Sequence, residues 1–163
     1  MSGQGAGVIV VGVDGTPGSD AALDFALSEG LSRGCPVEVV TGWLWSSTCS
    51  VAGREVGLTE GRTVVGEMQD AALVAALHRL GAMPTVSQLV VRDYAGRVLV
   101  ARAEHAAMLV VGGGTQSPSS RKNVGSVAEY CVRQSAAPVV VVPDPARARR
   151  RASEADLLAV AAS

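Results

Sequence analysis

Two glycine-rich stretches stand where a backbone could hold an anion: Gly112-Gly113-Gly114-Thr115 and Gly125-Ser126. The apolar run Val110-Val111 leads into the first, and Val127-Ala128 leads out of the second. Glycine lets backbone amides approach an anion closely. A helix start adds unpaired N–H groups and the positive end of a dipole, and the Ser126 hydroxyl can donate to a phosphate oxygen. A third position of interest is Asp14, in Gly12-Val13-Asp14-Gly15-Thr16, an acceptor suited to ribose hydroxyls or an adenine amine. The same residues also make plain turns, with Asp14 supporting the start of the next helix. Glycine spacing does not separate these two possibilities.

The elements that must position these residues alternate strand and helix. Val8–Val13 is a continuous run rich in β-branched residues, the sign of a strand buried on both faces. Thr16-Pro17 is an N-cap and N1 pair. Leu23, Ala26, Leu27, Gly30 and Leu31 follow at helical spacing, and Gly34 stops the helix. Val37–Thr41 reads as the second strand and residues 42–62 as a long loop. A helix is expected from Arg62 to Leu80, with Val65, Met68, Ala72, Leu73, Ala76, Leu77 and Leu80 on one face and Gly81 ending it. Val86–Val91 is the third strand, and Ala95–Glu104 a third helix with Asp93 as its cap. Met108–Val111 is the fourth strand and residues 112–123 a polar loop. A fourth helix runs from Val124 through Val127, Ala128, Cys131 and Val132, and Val139–Val142 is the fifth strand, closed by Pro143. Five strands alternating with helices make an α/β domain with a mainly parallel sheet. Ligands of such sheets bind beyond the carboxyl ends of the strands, where the strand order reverses, and the unusual residues cluster at those ends.

The composition narrows the field. A chain of 163 residues is one domain of ordinary size, and 48% hydrophobic against 18% charged residues excludes a disordered chain. Lys+Arg 14 against Asp+Glu 15 offers no positive surface for nucleic acid. Aromatics at 3% offer few stacking platforms for single strands. No apolar run reaches the roughly 20 residues of a membrane helix, and the N-terminus reads as a strand, not a signal peptide. Cys35, Cys49 and Cys131 form no C-x-x-C pair and read as reduced, partly buried thiols, which fits a cytoplasmic protein. After Pro145 the composition shifts to Arg147, Arg149, Arg150 and Arg151, then to a capping-box-like spacing from Ser153 to Asp156. The division expected is a domain over residues 1–145 and an Arg-rich tail over 146–163, a linker with a short helix.

Competing chemistries lack their residues. A dinucleotide oxidoreductase places G-x-G-x-x-G after the first strand, where this chain has Asp14-Gly15-Thr16-Pro17. A phosphoacceptor receiver needs clustered acids at the first strand, and Asp14 stands alone there. No G-x-S-x-G elbow is present, and the histidines, His78 and His105, are expected on helices away from the strand ends. Trp43 and Trp45 read as a strand extension packing under the long loop.

The segments VGVDGTPGSDAAL and LVVGGGTQSPSSRKNVGSVAEYCVRQSAAPVVVVP, with the alternation between them, resemble the universal stress protein family over about Gly7 to Pro143. The resemblance implies a single Rossmann-like domain: an open five-stranded parallel sheet of order 3-2-1-4-5 with helices on both faces. The family's Gly-x2-Gly-x9-Gly-Ser/Thr motif, which binds ATP phosphates and ribose, falls on Gly112, Thr115, Gly125 and Ser126 with its spacing kept. Thr115 replaces the second glycine, and a β-branched residue resists positive φ. Polar residues in the same loop, Ser117, Ser119, Ser120, Arg121 and Lys122, could supply phosphate contacts or form a solvated loop. The resemblance further implies an adenosine contact at Asp14, a base pocket lined by Gly12 and Val13, backbone contact to adenine at Gly42, and Val111, Val127 and Ala128 flanking the phosphate motif. The function implied is an ATP-binding stress-response regulator or sensor, with Mg accompanying the nucleotide and at most very slow ATP hydrolysis. The alternative is a nucleotide-free member that acts as a dimeric interaction module. Either form is expected to be a homodimer through the edge strand Val139–Val142, with no nucleic-acid or membrane partner.

Overall fold

Valine-rich runs build the sheet, and each is joined to the next by an element that returns the chain to the same end. In the computed structural model, which describes residues 7–44, 50–51, 54–55, 58–114, 124–150 and 152–153, the order is β1 (Ile9–Gly12), α1 (Pro17–Arg33), β2 (Val37–Gly42), β3 (Ser50–Val51), β4 (Arg54–Glu55), α2 (Leu58–Leu80), β5 (Val86–Val91), α3 (Ala95–Arg102), β6 (Met108–Gly112), α4 (Ser126–Gln134) and β7 (Val139–Val142). The main sheet has the order β5-β2-β1-β6-β7, and every pairing in it is parallel. Counted along the main sheet alone, this is the expected 3-2-1-4-5 order. The order reverses between β1 and β6, which pair in register Ile9 with Met108 and Val11 with Val110.

The two faces follow the period of the strands. Ile9, Val11, Val37, Val39 and Val110 pack with Ala22, Leu23, Ala26 and Leu27 of α1 and Leu73 and Ala76 of α2. Val10, Val40, Leu109 and Val111 pack on the other face with Val98 and Leu99 of α3 and Ala128 and Cys131 of α4. A sheet covered on both faces explains why its strands read as unbroken apolar runs. Cys35 and Cys131 are buried free thiols, and burial pushes the Cys131 thiol up to about 11. Cys49 lies outside the described residues.

Local signals act as read in α1. Thr16 is its N-cap, accepting from the Ser19 amide, and Gly34 closes it at φ 63° with its amide donated to the Gly30 carbonyl. Gly81, at φ 68°, likewise ends α2. Several boundaries differ from the expectation. The segment read as a loop over residues 42–62 contains the antiparallel pair β3–β4, and α2 starts at Leu58, not Arg62. Gly61, which looks like a turn residue, lies within α2, and it is a packing glycine: a Cβ there would come within 2.9 Å of the Trp43 ring. Trp43 itself is buried, and Trp45 lies outside the described residues. Asp93 does not cap α3: it accepts from the adjacent Tyr94 amide, and Tyr94 holds the N-cap position without a side-chain bond. The fourth helix begins at Ser126 after the N-cap Gly125, not at Val124.

The tail begins as helix. Residues 145–150 are helical, started by Asp144, whose Oδ1 accepts from the Ala146 amide at 2.7 Å and whose carbonyl accepts from Arg147 and Ala148. Asp144-Pro145 is the same N-cap and N1 pairing as Thr16-Pro17, so it was open to view in the sequence. The Ser153–Asp156 spacing lies largely outside the described residues.

Candidate functional site

The carboxyl ends of β1 and β6 lie side by side because small residues let them. A Cβ on Gly112 would come within 2.5 Å of the Gly18 carbonyl carbon, and one on Gly18 within 2.6 Å of the Gly113 carbonyl oxygen. The start of α1 therefore rests directly on the end of β6. Sequence reasoning nominated Gly112 but missed Gly18, whose place inside a Thr-Pro-Gly-Ser turn motif hides a contact made about a hundred residues away. Gly113 continues the junction, donating its amide to the Val142 carbonyl of β7 at 2.7 Å.

Asp14 stands exposed beyond β1. Its Oδ1 accepts from the Thr16 amide at 3.0 Å and from the Thr16 hydroxyl at 2.6 Å. Its own amide donates to Ser19 Oγ at 3.3 Å, and the Ser19 hydroxyl donates to the Thr16 carbonyl at 2.9 Å. The turn-supporting role open to Asp14 is thus realised, through Oδ1. Asp20 and Asp24 on α1 make the neighbourhood acidic: burial raises the Asp20 carboxyl above the ordinary range, Arg79 opposes this, and Asp24 and Asp14 add to it. Such surroundings suit a ligand's hydroxyl donors better than its phosphates.

The opposite side of the junction is the end of β6 and the start of α4. Gly114 and Gly125 lie backbone to backbone: a Cβ on Gly114 would approach the Gly125 Cα to 2.8 Å, and one on Gly125 the Gly114 Cα to 3.0 Å. Gly125 has extended backbone, φ −64° and ψ 157°, and as N-cap it offers no side chain to the first turn of α4. Ser126 is exposed at that turn, Val127 is half-buried, and Ala128 is buried in the core. Thr115 and the polar loop residues Ser117, Ser119, Ser120, Arg121 and Lys122 lie outside the described residues.

The remaining nominated positions divide. Val13 and Val111 are buried beneath the junction, Val13 donating its amide to the Val40 carbonyl. Gly12 lies under Leu99, to which a Cβ there would come within 2.9 Å. Gly42 is a packing glycine: a Cβ there would meet the Ala95 Cα at 2.5 Å, so the start of α3 occupies the space beside it. His78 is in the last turn of α2, and His105 is in the turn after α3, not on a helix. Both turns feed the amino ends of strands, across the sheet from the junction.

A buried amide also went unread. Gln69 of α2 is 1% exposed. Its Nε2 donates to Thr41 Oγ1 at 2.9 Å and to the Val39 and Leu89 carbonyls, and the Thr41 hydroxyl donates to the Val13 carbonyl at 2.8 Å. This chain of bonds ties α2 and β5 through β2 to the residue before Asp14. In the sequence Gln69 is one polar residue on an otherwise apolar helical face, a weak signal with no partner visible nearby.

Among the described residues no group of three or more His, Cys, Asp and Glu could hold a metal ion. No helix among them is long and apolar enough to cross a membrane.

Comparison with known proteins agrees with this architecture. A universal stress protein of Mycobacterium tuberculosis is 28% identical over 133 residues, 82% of this chain and 44% of the relative, so the chain spans under half of that protein. A solved universal stress protein from Archaeoglobus fulgidus matches at TM-score 0.64 and 25% identity, over 84% of this chain and 98% of that one. A universal stress protein family protein from Arabidopsis thaliana with AMP bound matches at TM-score 0.56 and 16% identity, over 86% and 94%. Other solved universal stress proteins of this fold were captured with cAMP and with dAMP. The family model for universal stress proteins matches residues 6–143, from just before β1 to the proline after β7, and this chain belongs to the universal stress protein family.

Proposed function

We propose that this chain binds an adenine nucleotide across the junction of β1 and β6 and serves as a stress-response regulator or sensor through its bound and empty states. The observation that carries the proposal is the apposition of Gly114 with Gly125 at the start of α4, whose N-cap has no side chain, across the junction from the acidic turn at Asp14. The residues suit such a ligand. The first-turn amides of α4 and the Ser126 hydroxyl would take phosphate oxygens. Asp14 would take ribose hydroxyls on Oδ2, since the turn uses Oδ1. Relatives of the same fold solved with AMP, cAMP and dAMP support an adenine ligand in general. ATP is the nucleotide we favour, because the motif spacing from Gly112 to Ser126 is kept. We assign Mg no protein ligands, since the described residues offer no cluster to hold it. Mass spectrometry of the natively purified protein, followed by calorimetric titration with ATP, ADP and AMP, tests the proposal. Co-purifying or titrating nucleotide is the expected result. A protein that binds none of the three is the result that overturns it.

A nucleotide-free interaction module is the second reading, and one feature favours it: the Asp14 carboxylate already has work in its own turn. Both readings include a homodimer through β7, a half-buried valine strand at the sheet edge. Among the described residues no strand pairs with its outer edge, whose backbone groups a second copy can satisfy. Sedimentation equilibrium distinguishes the dimer from a 16.5 kDa monomer.

A further inference from the structure

The sheet has a second edge, β5, and a cavity of about 270 Å³ lies along it, lined by Arg62, Gly66, Gln69 and Asp70 of α2 and by Gln88 and Val90 of the strand. Among the described residues no strand pairs with this edge. Thr85 and Val91 turn their carbonyls toward β2, accepting from the Val37 and Trp43 amides. Strand residues alternate, so Val86, Gln88 and Val90 turn their amides and carbonyls outward, and Gln88 and Val90 do so at the cavity. The usual guards against an added strand are missing: Val86–Val91 holds no Pro and no charged residue, and it keeps register with β2 throughout.

The helix above the edge is charged at both ends of the cavity. Gly61 packs on Trp43, so Arg62 stands toward the carboxyl end of β5, while Asp70 accepts from Gln88 Nε2 on Oδ1 at 2.7 Å. Both side chains are exposed. Their spacing along α2 is about 12 Å, which an extended chain crosses in about four residues. Between them lies Gly66, inside a 23-residue helix, where glycine costs stability. A Cβ on Gly66 would meet nothing within 4 Å, so packing within the described chain does not account for the missing side chain.

We infer that β5 is a docking edge for an extended peptide of a partner protein, which adds as an antiparallel strand beside Gly66. Gln88 and Val90 supply its main-chain bonds, and alternate side chains enter the cavity. Antiparallel pairing is the slightly more stable kind. Because α2 runs against β5, a strand in that direction meets Arg62 first and Asp70 second, so it carries an acidic residue and, four residues later, a basic one. The Gln88 bond leaves the Asp70 carboxylate its charge and its second oxygen. None of this depends on nucleotide binding.

The test is fluorescence anisotropy of the full chain with two labelled peptides, STETTVKTS and its charge-exchanged form STKTTVETS. The first is expected to bind with a Kd below about 1 mM and the second at least about fivefold more weakly. The double variant Arg62→Asp with Asp70→Arg should invert that order. Val90→Pro removes an outward amide that an edge strand can spare, and it should abolish binding while circular dichroism stays parental. Gly66→Ala should raise Tm, as a better helix former, and weaken the first peptide about tenfold. Saturable binding of neither peptide overturns the inference, as does equal binding of both, parental binding by Val90→Pro, or an order that the double variant leaves unchanged. Should Val90→Pro misfold, two forms of the first peptide, N-methylated at opposite sets of alternate amides, replace it. Only the form whose free amides face β5 is expected to bind, and equal binding of the two overturns the inference.

Discussion

The two strand ends that meet at the switch point are held by different means. Beyond β1, the turn is a web of side-chain hydrogen bonds: Asp14 to Thr16, Thr16 to Ser19, Ser19 back to Asp14. Beyond β6, the described glycines Gly113, Gly114 and Gly125 have no side chains to bond, and Gly112 rests on Gly18 and Gly114 on Gly125 with no room for a methyl group. Side-chain bonds contribute about 1 kcal/mol each and can be lost singly. Apposed backbones yield less readily, because an added Cβ must move main chain, and the cost grows as the approach shortens. The β1 turn is thus complete in itself, whereas among the described residues the β6 side meets α4 through bare glycine backbone, and its helix start has no side chain from the N-cap Gly125. A site that must receive an anion is built more economically on the second plan.

The sharpest way to break the contrast is a methyl group at the junction. Gly112→Ala places a Cβ about where the Gly18 carbonyl group and Ser19 nitrogen already stand, at 2.5–2.6 Å. We expect a loss of about 3 kcal/mol, a fall in Tm of roughly 6–12 °C, measured by thermal and urea unfolding. A loss under about 1 kcal/mol would mean that the junction is looser than its geometry indicates.

Gly125→Val should cost less stability and more function. The nearest approach, 3.0 Å to Gly114, is milder, and the extended backbone of Gly125 suits a β-branched residue. The expected stability loss is about 1–2 kcal/mol. A nucleotide seated on the first turn of α4 would lose tenfold or more in affinity, since the new side chain stands over the amides. Unchanged calorimetric affinity with a stable fold would place the phosphates elsewhere.

Much of the β1 side was legible in the sequence, and less of the β6 side. Thr16-Pro17 and Gly34 mark α1 by local chemistry that depends on no distant partner, and the valine runs mark the buried strands. The strand order came with the family resemblance, not from periodicity. Gly18 and Gly61 were opaque because a packing glycine and a turn glycine look alike until the opposing surface is known. Gln69 was opaque for a related reason: apolar periodicity registers a face, and a buried amide on that face declares itself only through partners on β2 and β5. The start of the tail helix, by contrast, was written in Asp144-Pro145 and overshadowed by the arginine run that follows.

On the hydrogen-bonded side, single deletions should be small and nearly uniform. Thr16→Ala removes the N-cap acceptor for the Ser19 amide and the hydroxyl that donates to Asp14. The expected cost is about 1 kcal/mol, roughly 2–4 °C in Tm, well below that of Gly112→Ala. Equal costs at the two positions would dissolve the distinction between the two strand ends.

The smallest stability effect, and the one that separates the two roles of Asp14, is expected for Asp14→Asn. Asparagine keeps an Oδ1 carbonyl in the same place, so the bonds from the Thr16 amide and hydroxyl survive. What changes is the charge and the second oxygen, which becomes an NH₂ donor. The turn should therefore lose under about 0.5 kcal/mol, as surface substitutions do; removing one acid from the cluster with Asp20 and Asp24 offsets part of any loss. A ribose hydroxyl donating to Oδ2 would instead face a donor, and adenine-nucleotide affinity should fall about tenfold, the 1.4 kcal/mol of one charge-assisted bond. Asp14→Ala, which removes both oxygens, should show the same affinity loss together with about 1 kcal/mol of destabilisation. If Asp14→Asn loses stability as Asp14→Ala does while affinity stays at the parental value, Asp14 serves only its own turn, and the β1 end is a scaffold on which the β6 end alone meets the ligand.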